Sequence, residues 1–116
     1  MMARIIIADD NLDLVETLAD YMRAHGHEVE IATDGAEALA RYQESDFDVG
    51  FMDVRMPVMN GAESFLAIKK IRPRARVVMM TGFDDETLGI ALAAGALGPL
   101  KKPFSAKVLL KYLDPA

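Results

Sequence analysis

The chain has 116 residues, of which 52% are hydrophobic and 27% charged, with a formal net charge of −5. That length and composition suit one compact domain, residues 1–116, able to bury a core of its own, and the acidic balance argues against nucleic acid as a direct ligand. The absence of cysteine excludes a disulfide framework and a thiolate zinc site and fits a cytoplasmic protein; nothing resembles a signal peptide, and no apolar run is long enough to span a membrane.

Short apolar runs alternate with helical patterns along the chain. Arg4–Ala8 reads as a strand buried on both faces. Asn11–His25 reads as a helix, with Leu14, Leu18 and Met22 on one stripe beside Val15 and Ala19, ended by Gly26. Glu28–Ala32 is a second, weaker strand. Asp34 stands three residues before Glu37, the spacing of a helix start, and Ala36–Gln43 continues as helix. Val49–Met52 is a third strand. Asn60 and Glu63 repeat the cap spacing and open a helix to about Ile71. Arg76–Met80 is a fourth strand, Asp84–Ala94 a fourth helix stopped by Gly95, Ala96–Leu100 a fifth strand, and Ser105–Leu113 a last helix capped by Ser105. Asp114-Pro115-Ala116 reads as a boundary.

Repeated strand–helix units imply an α/β fold, a doubly wound parallel sheet with helices on both faces. Five strands suit the flavodoxin-like order 2-1-3-4-5. Pro99 lacks a ladder donor and is expected on an edge, where that order puts the fifth strand. Gly50 falls in the central third strand, so a helix is expected to pack closely there.

In such a sheet, ligands sit beyond the carboxyl ends of the strands, at the switch point between the first and third. Asp9 and Asp10 end the first strand and Asp53 the third, so three carboxylates should converge. Two like charges about 4 Å apart cost roughly 4 kcal/mol at an effective dielectric near 20. A proton or a cation must offset this, and hard oxygen donors in an open site favour Mg²⁺. Thr81 ends the fourth strand with a hydroxyl, and Lys101-Lys102-Pro103-Phe104 follows the fifth with an ammonium. A carboxylate nucleophile, a divalent metal, a hydroxyl and a lysine together suit phosphoryl transfer.

The runs Ile5-Ile-Ile-Ala-Asp-Asp10, Met52-Asp-Val-Arg-Met-Pro-Val-Met-Asn-Gly61, Met79-Met-Thr-Gly82, Gly95-Ala96 and Lys101-Lys-Pro-Phe104 stand in this order, each at an expected strand end. With them the chain resembles, over essentially its whole length, the receiver domain of two-component response regulators. The resemblance implies that Asp53 accepts the phosphoryl group and that Asp10, Asp53 and the backbone carbonyl of Arg55 bind Mg²⁺. It implies a role for Asp9 through metal-bound water, Thr81 as the switch hydroxyl and Lys102, not Lys101, as the lysine. It also implies a histidine kinase or histidine phosphotransfer protein as donor, and an output domain or downstream protein as receiver of the signal. Acceptance and later self-hydrolysis would be the only chemistry.

Taken singly, the same residues have plainer readings. The Asp9-Asp10 pair would serve as a helix N-cap, as would Asn11. Asp84, Asp85 and Glu86 serve a helix dipole, and His25 and His27 are surface residues beside a helix end. The eight methionines read as core filler. Pro99 stands where the family carries an aromatic ring that moves with the threonine, so output is expected to run through the fourth helix, weakened by Gly89. Phe83 and Arg55, two residues beyond Thr81 and Asp53, are expected to shield the acyl phosphate. An aspartate phosphatase on a similar sheet would need a second aspartate where Arg55 stands. A pseudo-receiver that binds partners without phosphorylation is the alternative that Pro99 keeps open.

Overall fold

The computed structural model describes residues 2–83 and 85–113. Its parallel sheet has the order β2-β1-β3-β4-β5, from β1 (Arg4–Ala8), β2 (Glu28–Ala32), β3 (Val49–Asp53), β4 (Val77–Thr81) and β5 (Leu97–Lys101). Between the strands run α1 (Leu12–Ala24), α2 (Gly35–Glu44), α3 (Gly61–Ile71) and α4 (Glu86–Ala93). No helix among the described residues is long and apolar enough to cross a membrane.

Strand side chains alternate between faces, and each face supports its own core. Ile5, Ile7, Val49, Phe51, Val78 and Met80 pack against Val15, Leu18, Ala19 and Met22 of α1 and Leu109 near the C-terminus. Ile6, Ala8, Met52, Val77 and Met79 pack against α2, α3 and α4 through Ala38, Tyr42, Phe65, Ile68 and Ala91. Every residue of β3 and β4 is buried, which explains why those strands are unbroken apolar runs rather than alternating ones. Met22, Met52, Met56, Met79 and Met80 all lie in this interior, whereas Met2 is exposed.

The helix starts follow the capping residues. Asn11, Asp34 and Asn60 accept from the backbone amides of Leu14, Glu37 and Glu63, and Glu63 returns a bond to the Asn60 amide to complete a capping box. Helix ends are met by cations. Arg72 Nε donates to the Tyr42 carbonyl at 3.0 Å, Arg76 to the Tyr112 carbonyl at 2.9 Å and Lys69 Nζ to the Pro73 carbonyl at 3.0 Å. The first two of these bonds satisfy carbonyls that the helices leave open.

Both backbone tests of strand order come out as expected. Pro99 lies in β5, an edge strand. Beside it Gly98 takes φ +95°, with Met79 O only 2.8 Å from where a Cβ would stand, at a shift in the β4–β5 register. At Gly50 a Cβ would meet the Tyr42 hydroxyl oxygen at 2.5 Å and Ile6 Cγ2 at 3.1 Å, so α2 crosses β3 at glycine distance. That hydroxyl is buried with no hydrogen-bond partner among the described residues. Burial first, and the charge of Asp46 second, raise its pKa.

Three sequence expectations need correction. The last helix, expected over Ser105–Leu113, is a 3₁₀ helix over Ala106–Tyr112 capped by Ser105. Its i, i+3 rows align Ala106, Leu109 and Tyr112 toward the sheet, and only Leu109 is fully buried. The fourth helix begins at Glu86 on an Asp85 cap; Asp84 lies outside the described residues, as does the 114–116 boundary. His27 is more than a surface cation, because its Nδ1 accepts from the Ala3 amide at 3.0 Å. The ring therefore ties the start of β1 down, while His25 is exposed as expected.

Candidate functional site

The loops at the carboxyl end of the sheet are held by close backbone approaches. Gly61 opens α3 where a Cβ would be 2.2 Å from the Asp53 carbonyl oxygen, and its amide donates to the Val54 carbonyl at 2.8 Å. Gly35 similarly abuts Met59 O and donates to it at 3.0 Å. The segment between β3 and α3 is thus pinned to the starts of two helices, with Val58 forced to φ 68° at its exposed tip, a costly conformation for a β-branched residue.

On this scaffold Asp9, Asp10 and Asp53 offer carboxylate oxygens that all lie within 4.8 Å of one another. Asp9 and Asp53 are buried and Asp10 is exposed. At an effective dielectric near 20, charges at that spacing repel by roughly 3 kcal/mol per pair. Lys102 supplies part of the offset: its Nζ lies 2.5 Å from Asp9 Oδ2 and 3.3 Å from Asp53 Oδ1. Asp9 Oδ1 also accepts from the Asn11 amide at 3.0 Å. The offset is incomplete. Burial, then the charge of Asp9, push the Asp53 carboxyl from 3.8 up to about 6 even though Lys102 pulls it down. For Lys102, burial alone would lower the pKa, but the two carboxylates overcome it and hold the ammonium above its ordinary 10.5. One ammonium against three carboxylates leaves oxygen donors and negative charge to spare, and such a donor set fits a small hard cation.

Thr81 ends β4 and is buried. Its hydroxyl donates to the Phe83 carbonyl and accepts from the Phe83 amide at 3.2 Å. Thr81 and Lys102 share a cavity of about 230 Å³ with Gly82, Phe83 and Lys101. A second cavity of about 460 Å³ opens beside Asp10, Arg55, Asn60, Asp85 and Thr87. The Arg55 side chain borders the second, with Nε 3.3 Å from Asp85 Oδ2 and Cζ 5.3 Å from the centre of the Phe83 ring. The structure therefore brings Asp9, Asp10, Asp53 and Lys102 into one cluster and puts Thr81 on the adjoining cavity wall. Arg55, expected here for its carbonyl, sends its side chain to the rim.

Sequence reading did not foresee Asp85 as the partner of Arg55. The signal available was local: an aspartate two residues before a threonine at a helix start. Asp85 Oδ1 does accept from the Thr87 amide at 2.8 Å and from its hydroxyl. Those two bonds, with smaller help from Arg55, hold the Asp85 carboxyl below its ordinary value.

Comparison with known proteins agrees with this layout. Residues 5–114 match the response regulator receiver domain family. A response regulator receiver protein of Anaeromyxobacter sp. (strain Fw109-5) is 40% identical over 110 residues, which are 94% of this chain and 46% of that protein. The transcriptional regulatory protein ZraR of Salmonella typhimurium is 36% identical over 97% of this chain and 26% of its own length, so the chain spans less than half of either relative. The crystal structure of a CheY-like receiver domain from Methanospirillum hungatei superposes with a TM-score of 0.90 at 31% identity, covering 96% of this chain and 90% of that one. The strand order, the acidic crevice at its switch point and the family match agree: the chain belongs to the response regulator receiver domains.

Proposed function

We propose that residues 1–116 act as a phosphorylation-dependent switch of a two-component phosphorelay, with Asp53 as the phosphoryl acceptor. The observation that carries this reading is the cluster of Asp9, Asp10 and Asp53 oxygens within 4.8 Å, with Lys102 bridging two of them. In this reading a carboxylate oxygen of Asp53 attacks the phosphorus of a phosphohistidine on a histidine kinase or histidine phosphotransfer protein. The P–O bond forms as the P–N bond breaks, and the leaving imidazole nitrogen keeps the electron pair and takes up a proton. Water later cleaves the acyl phosphate, returning the Asp53 carboxylate and inorganic phosphate.

Asp10, Asp53 and the Arg55 carbonyl would hold Mg²⁺, with Asp9 as the outer acid; the ion would neutralise charge on the transferring group. Lys102 reaches toward an Asp53 oxygen and would meet the phosphoryl oxygens with its ammonium, while Thr81 would give up its bond to Phe83 to donate to them. The domain would work in the cytoplasm and pass its state to an output domain or a downstream protein. A pseudo-receiver that binds partners without phosphorylation is the second reading, and Pro99 in β5 is the feature that favours it.

The test is intact mass after incubation with Mg²⁺ and a small phosphodonor. The expected result is a single phosphoryl gain that is abolished in Asp53→Asn. No gain in the wild-type protein would leave the pseudo-receiver reading in its place.

A further inference from the structure

The Asp85 carboxylate is divided between two tasks. Oδ1 caps the first turn of α4 through Thr87, and Oδ2 holds Arg55 Nε at 3.3 Å. Arg55 stands two residues beyond Asp53 in sequence, on the pinned segment between β3 and α3. Its guanidinium is fixed from both sides, by Asp85 and by the Phe83 ring, although Arg55 and Phe83 are themselves about two-thirds exposed. Arg55 also borders the same 460 Å³ cavity as Asp10. The Arg55 guanidinium on this rim is therefore paired with a residue outside the acidic cluster.

We propose that Asp85 is a positioning residue that sets how much positive charge the pocket mouth offers to a phosphoryl group. Held by Asp85, Arg55 stays paired over Phe83. A phosphoryl group on Asp53 carries about two negative charges against the one of Asp85, so it competes for the guanidinium, and the pair acts as a brake on its capture. An exposed ion pair is weak enough to be exchanged in this way. The inference rests on the reading of Asp53 as the acceptor.

Asp85→Asn separates the two tasks, because asparagine caps a helix as well as aspartate does but removes the carboxylate that holds Arg55. The probe is beryllium fluoride with Mg²⁺, a phosphoryl mimic, its affinity read by fluorine NMR on the full chain. Asp85→Asn should bind the mimic roughly two- to fivefold tighter than wild type, the fold-change expected of an exposed ion pair. The gain should vanish in the Arg55→Ala background, return in part with Arg55→Lys, and shrink at high ionic strength. Hydrogen exchange at Thr87 and Leu88 should be unchanged by Asp85→Asn; faster exchange there would mean that Asp85 acts only as a cap and would overturn the proposal. Equal affinity in wild type and Asp85→Asn would overturn it while leaving the acceptor reading intact. No binding by wild type would overturn both.

Discussion

Replacing Asp53 with asparagine should stabilise the metal-free protein at neutral pH. Asp53 is buried against Asp9, and its carboxyl rises from 3.8 to about 6 on folding. Between those values the folded state binds more protons than the unfolded chain, so stability falls as pH climbs from about 4 to about 6 and the whole penalty is present above that. At about 1.4 kcal/mol per pH unit, a rise of about two units corresponds to about 3 kcal/mol. That figure already includes the favourable contact with Lys102, one of the causes that lower the carboxyl. Asparagine keeps the shape and carries no charge, so it avoids the penalty. For a domain of this size the gain corresponds to a rise in Tm on the order of 10 °C. The assay is thermal or urea unfolding of both proteins from pH 4.5 to pH 7.5 with a chelator. Wild type should lose stability across that range from this group while Asp53→Asn does not, and the gap between the two curves should narrow toward the acid end. Adding Mg²⁺ should then raise the wild-type Tm, since an ion bound only by the folded state adds RT ln(1 + [L]/Kd), and should raise that of Asp53→Asn much less. A variant no more stable than wild type at pH 7.5 in chelator would refute the claim that the pocket holds uncompensated charge.

Gly50→Ala should destabilise by about 1–3 kcal/mol, because its methyl would stand 2.5 Å from the Tyr42 oxygen. Tyr42→Phe removes that oxygen, which is buried without a hydrogen-bond partner among the described residues, and should restore most of the loss in the double variant; strictly additive effects in urea denaturation would refute the clash. Phe83→Ala removes a ring that is 67% exposed and walls the cavity shared by Thr81 and Lys102. It should shorten the acyl phosphate half-life several-fold, and an unchanged half-life would end the idea that the ring shields it.

Most of the fold was legible because its signals are local. Each helix start carried its own Asn, Asp or Ser, the first, third and fourth strands their apolar runs, and Pro99 and Gly50 constrained the strand order through steric rules that need no partner. The 3₁₀ geometry of the last helix was not legible, since its residues suit either helix and the choice depends on how Leu109 reaches the sheet. Pairings distant in sequence were hidden for a related reason. Lys102 and Asp9 are 93 residues apart, Arg55 and Asp85 30 apart, and no periodicity encodes them. Position at a strand end told which residues would gather. It did not tell that Lys102 grips Asp9 more closely than Asp53, nor that the Thr81 hydroxyl is already engaged by the Phe83 backbone.

The gathering itself follows from the topology. In a parallel sheet with helical crossovers, every strand ends where a helix is about to begin, so one end of the domain collects helix N-termini and the other collects helix C-termini. Acids belong at the first and cations at the second, because each offsets the partial charge of the helix end it faces. Part of the chain follows this sorting: Asp9, Asp10, Asp53 and Asp85 precede α1, α3 and α4, whereas Lys69, Arg72 and Arg76 bond to carbonyls beyond α3, at the end of α2 and at the end of the 3₁₀ helix; Glu28 and Asp48 depart from it, at the strand-start end beside Arg4. No acidic residue occurs between Glu63 and Asp84, a stretch holding five cations. Helix dipoles therefore make the crevice a tolerable place for acids one at a time. They do not make it tolerable for three within 4.8 Å, and Lys102 balances only part of that excess. The remaining negative charge is what a bound cation would relieve, and α4, with only Ala91 buried and Gly89 in open space, is a thinly packed element beside it.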